Sequence, residues 1–97
     1  MSDIDDSRQD LLKRRARRLA SKGDYRKAAL ALRELASLAG DAASYVALGD
    51  MLRRARRLPA ALEALKQGMY LHRRSGSRSR ARTVARMIGA LDPWGAR

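Results

Sequence analysis

The 97-residue chain carries 22 lysine and arginine residues against 10 aspartate and glutamate, a formal net charge of +12, and has no cysteine and no phenylalanine. Disulfides, thiolate metal sites and a cysteine nucleophile are therefore excluded, and the length suits one domain of about five helices. Alanine, leucine and arginine fill most positions and no Val/Ile/Thr alternation is sustained, so the expected fold is all-α.

In chain order, residues 1–6 read as a disordered acidic lead, 7–92 as the helical domain and 93–97 as a short tail. The N-terminal MSDIDDSRQD is unlike a signal or transit peptide, and no apolar run approaches the roughly 18 residues of a membrane span. A cytoplasmic protein is expected. The first helix should run over 7–21 with Leu11, Leu12, Ala16 and Leu19 inward, and Lys22-Gly23 should stop it. Asp24 is a good N-cap for the second helix, whose stripe is Tyr25, Ala28, Ala29, Leu32, Leu35, Ala36 and Ala39. Gly40 ends that helix and Asp41 opens the third, with Tyr45, Leu48, Gly49, Leu52 and Ala55 on one face.

Pro59 suits the first turn of a fourth helix, where its missing N–H is not needed. That helix should bury Leu58, Ala61, Leu62, Leu65, Gly68 and Met69. Ser75-Gly76-Ser77 reads as a turn, with Ser77 or Ser79 capping a fifth helix that buries Ala81, Val84, Ala85, Ile88 and Leu91. Asp92-Pro93 closes it. Short connections make consecutive helices antiparallel neighbours.

One stretch carries a repeat signature: Tyr45-x2-Leu48-Gly49-x2-Leu52, then Ala61-x3-Leu65 and Gly68. Small residues at Gly49, Ala61 and Gly68 let two helices cross closely. An earlier unit, Leu12-x2-Arg15-Ala16-x2-Leu19 with Ala28-x3-Leu32, places Ala28 33 positions before Ala61. A third half-unit is Ala81-x2-Val84-Ala85-x2-Ile88. This pattern resembles the tetratricopeptide repeat family over roughly Leu11 to Pro93. It departs from that family at Arg15, where the first helix usually has leucine, at Arg73, where proline is expected, and in lacking a sixth helix.

The resemblance implies about two and a half stacked helix-turn-helix units with a C-terminal closing helix, and a concave groove lined by the first helix of each unit. The family's groove positions fall on Asp10, Lys13 and Arg17, on Val46, Asp50, Arg53 and Arg54, and on Arg82 and Arg86. Six of these nine are basic, which implies a groove that grips an acidic or helical protein segment through arginine–carboxylate forks. The family's clamp for a terminal carboxylate needs paired asparagines, and this sequence has no asparagine. The partner-binding set is then Lys13, Arg17, Asp50, Arg53, Arg54, Arg82 and Arg86.

A non-enzymatic adaptor is the expected function, with a chaperone that masks a partner's helix as one variant. Nucleic acid is the second choice of partner. The charge and the Arg-Arg pairs would serve phosphates, and the stretch HRRSGSRSRAR (72–82) is the most nucleic-acid-like. No recognition-helix motif or basic-aromatic stacking platform accompanies them. Self-assembly through Met87, Leu91 and Trp94 is the third. His72 is the sole histidine, Glu34 and Glu63 lie on different units, and no glycine-rich phosphate loop occurs. No catalytic residue, metal or cofactor is expected.

Overall fold

Four short connections decide the topology. The computed structural model describes residues 3–92, with side chains from residue 6, and forms α1 (Asp3–Ser21), α2 (Tyr25–Ala39), α3 (Ala42–Arg54), α4 (Leu58–Arg74) and α5 (Arg78–Leu91). Linkers of two or three residues leave the chain no option but to reverse, so each helix packs mainly on its neighbours in sequence, α1 on α2 through α4 on α5. The fold is all-α, and among the described residues there is no strand. No described helix is long and apolar enough to cross a membrane. Pro93 and Trp94, and the tail they were expected to form, lie outside the described residues.

The start of α1 corrects the expected boundary, because the chain is helical from Asp3 rather than from Ser7. An aspartate-rich opening is compatible with this, since carboxylates are favoured in the first turn of a helix, where the dipole is positive. α2 opens on Asp24, whose carboxylate accepts from the Lys27 N–H at 3.3 Å, and ends on Gly40 in the left-handed conformation at φ 64°. Asp41 and Ser77 hold the N-cap positions of α3 and α5 without a side-chain capping bond.

The core is built from alanine as much as from leucine. Ala16, Ala28, Ala29, Ala36, Ala61, Ala64 and Ala81 are buried beside Leu12, Leu32, Leu35, Leu48, Leu52 and Leu65. Small side chains let the helices approach, and nowhere more closely than between α3 and α4. A Cβ on Gly49 would stand 2.7 Å from the Leu65 side chain, and one on Gly68 would stand 2.6 Å from Val46 Cγ2. The expected small positions Gly49, Ala61 and Gly68 are therefore where α3 and α4 meet.

Two expected core residues fall outside. Leu11 is 58% exposed and Leu58 42%. The inward stripe of α1 runs through Leu12 and Ala16, and Leu11 is rotated about 100° from Leu12 on the helix. Leu58 stands in the first turn of α4, at the rim of the stack. Val46, expected in the groove, instead points at the space left by Gly68.

The turns α1–α2 and α3–α4 share one design. The N–H of Asp24 reaches the Leu19 carbonyl and that of Arg57 the Leu52 carbonyl, both at 2.9 Å, the wide-loop bond that closes a helix C-terminus. The residue inside each bond is left-handed: Gly23 at φ 79° and Arg56 at φ 62°. For a residue with a Cβ that conformation costs about 1–2 kcal/mol.

Candidate binding groove and the arginine clusters

The sequence places a basic pair on α1 at an i, i+4 spacing, and the fold turns it toward α3. Lys13 and Arg17 form one wall of a groove of about 380 Å³, with Ala16 and Ala20 below them. Leu32 and Leu35 of α2 supply the floor, and Ala47, Asp50 and Met51 of α3 the opposite wall, with Asp41 at one end. The surface is largely apolar and the charges sit at the rim, cationic on α1 and anionic on α3.

The rim charges differ in how far they are satisfied. Asp50 is held by two arginines, with Arg53 Nη2 at 2.6 Å and Arg54 Nε at 3.3 Å. Lys13 and Arg17 make no ion pair among the described residues and are exposed. The anionic wall is thus spent within the protein, while the cationic wall is available to an incoming carboxylate. Arg54 also lies over the Tyr25 ring, 5.6 Å from its centroid, in cation–π range. The Tyr25 side chain first, and Asp50 second, raise the Arg54 pKa above its ordinary value.

The expected partner-binding residues do not form one continuous channel. Lys13, Arg17 and Asp50 come together in the groove. Arg53 and Arg54 reach it only through Asp50, and they line a separate hollow at the α3–α4 turn with Arg56 and Leu58. Arg82 and Arg86 are exposed on α5, where Arg86 donates to Thr83 Oγ1 at 3.4 Å. Asp10 is exposed outside the groove wall. Register along one helix does not decide which side chains of α3 turn toward α4.

Residue-by-residue reading also passed over Asp41, Ala47 and Met51 of the groove, and a basic surface on α2. There Leu30 is 66% exposed beside Arg26, Arg33 and Arg57, which surround a second hollow of about 200 Å³. The repeat itself carried the signal for Arg56, since it occupies the position of Gly23 one 33-residue period later. Among the described residues no three His, Asp or Glu side chains are grouped as metal ligands would be. Comparison with family models, with curated proteins and with solved structures finds no match to the chain.

Proposed function

We propose that the chain is a non-enzymatic adaptor of the tetratricopeptide type that holds a short amphipathic protein segment in the groove between α1 and α3. The carrying observation is the division of that groove into an apolar floor and one unpaired cationic wall, Lys13 and Arg17. Apolar side chains of the segment cover Leu35, Ala47 and Met51. Its carboxylates meet the two cations, which are free to form charge-assisted hydrogen bonds. Asp50, neutralised by Arg53 and Arg54, does not repel them.

One structural feature supports the repeat assignment: the burial of Ala28 and Ala61, each fully shielded, 33 positions apart. α5 serves as the closing helix. The partner is acidic and helical rather than basic, because the groove's two cations stand free while Asp50, the anion facing them, is already paired. A chaperone-like masking of a partner's helix is the same chemistry.

The test is fluorescence anisotropy with a labelled peptide carrying leucine and glutamate at helical spacing. The double variant Lys13→Glu, Arg17→Glu should weaken binding at least about tenfold, the loss of roughly 1.4 kcal/mol or more, with the circular dichroism spectrum unchanged. Equal affinity for the variant and the native chain would remove the groove from the account.

A further inference from the structure

The turn between α3 and α4 holds a residue that its backbone disfavours. Gly23 and Arg56 are counterparts one repeat apart, and both are left-handed, at φ 79° and 62°. Their hydrogen bonds are the same in kind. Gly23 N–H reaches Ala20 O at 2.9 Å and Arg56 N–H reaches Arg53 O at 3.0 Å, inside the longer bonds made by Asp24 and Arg57. The first turn shows that glycine serves this geometry, without the steric penalty a Cβ brings. Nothing inside the chain offsets that penalty at Arg56, whose side chain makes no ion pair or hydrogen bond among the described residues. A strained residue kept without an internal partner points to an external one.

The surroundings say what that partner is. Arg56 joins Arg53 and Arg54 around a hollow of about 510 Å³. The next residue of the turn, Arg57, joins Arg26 and Arg33 of α2 around the second hollow. Six guanidiniums therefore line the two hollows to which this turn contributes Arg56 and Arg57. Among the described residues the carboxylate bound to any of them is Asp50, already shared by Arg53 and Arg54.

We propose that this turn is a contact surface for the phosphodiester backbone of a nucleic acid, bound without regard to sequence. Two adjoining cationic hollows suit a ligand that repeats its anions along a strand better than a single small phosphate. Arginine forks match phosphate oxygens. Phosphate contacts carry no sequence information, and the ring nearest these arginines, Tyr25, is already engaged by Arg54. The surface is distinct from the α1–α3 groove, so either can fail alone.

The test uses the full chain and a fluorescent mixed-sequence DNA duplex of about 20 base pairs, titrated at several salt concentrations so that the slope of log K against log salt is read. Arg56→Gly keeps the turn and removes the cation. It should weaken binding roughly three- to tenfold and reduce the salt slope by about one, while raising the melting temperature. Arg33→Ser, away from the turn backbone, should weaken binding by a similar factor, and duplexes of unrelated sequence should bind alike. Unchanged affinity and slope for Arg56→Gly would overturn the proposal. So would competition by polyglutamate as effective as by unlabelled duplex, which would make an acidic protein the partner. Displacement by pyrophosphate at equal phosphate concentration would overturn it too, as a site for one small anion.

Discussion

Two glycines and one arginine separate packing from conformation. Gly49 faces the fully buried Leu65, with the Ala61 carbonyl 3.2 Å from where its Cβ would lie. Alanine would gain up to about 1 kcal/mol of helix propensity there, but overpacking a closed contact costs about 1–3 kcal/mol. Gly49→Ala is therefore expected to lower stability by about 1–2 kcal/mol in urea denaturation. Gly89 in α5 has nothing within 4 Å of its Cβ position, so Gly89→Ala should raise stability by about 0.5–1 kcal/mol. At Arg56 the sign again favours change: Arg56→Gly relieves the left-handed strain, offset in part by the added freedom of glycine in the unfolded chain, for a net gain of up to about 1 kcal/mol. A stable Gly49→Ala would mean that the α3–α4 crossing is not where the close contact lies, and a destabilised Gly89→Ala would mean that α5 is packed against a neighbour at Gly89.

Among the elements, α3 and α4 form the tightest pair and α5 the most lightly held. α5 buries only Ala81 and Val84; of its remaining apolar residues Ala85, Met87, Ile88 and Leu91 are half-exposed and Ala90 is exposed. It packs principally on α4. In a stack where each helix depends on its neighbours, an end helix opens at lower free energy than the middle. Native-state hydrogen exchange should therefore show α5 amides exchanging faster than those of α3 and α4, and equal protection across all three would contradict this ordering.

The elements themselves were legible because their punctuation is local. Gly23, Gly40 and Gly76 take positive φ at helix ends, Pro59 lies in the first turn of α4, and the apolar stripes repeat at three and four. What escaped was set by contacts between helices. Leu11 and Leu12 look alike in sequence, and only the packing of α1 on α2 decides that Leu12 is covered. Val46 was assigned to the groove by register, yet the gap at Gly68 draws it to α4. Lys13 and Arg17 line one groove together because an i, i+4 pair shares a helix face wherever the helix goes. Arg53 and Arg54 lie at the end of their helix, where the following turn redirects them.

For the whole molecule, the net charge of +12 is distributed over several surfaces instead of being gathered in one channel. Two of those surfaces have a definite form: the α1–α3 groove, with apolar floor and free cations, and the α3–α4 turn, with six arginines lining its two hollows. The first suits a segment that brings leucines and carboxylates together, the second a strand of phosphates. Their salt dependence should differ accordingly. Peptide binding in the groove keeps an apolar contribution that salt does not screen, whereas contacts to phosphates weaken steeply as salt rises. The groove is the account's central claim. Its most direct test is to titrate the acidic leucine-glutamate peptide into isotopically labelled protein and follow backbone amide shifts. The largest changes should fall on Lys13, Arg17, Leu35, Ala47 and Met51, with little movement at Arg56 and Arg57. Shifts confined to the α3–α4 turn, or no saturable shift at all, would contradict it.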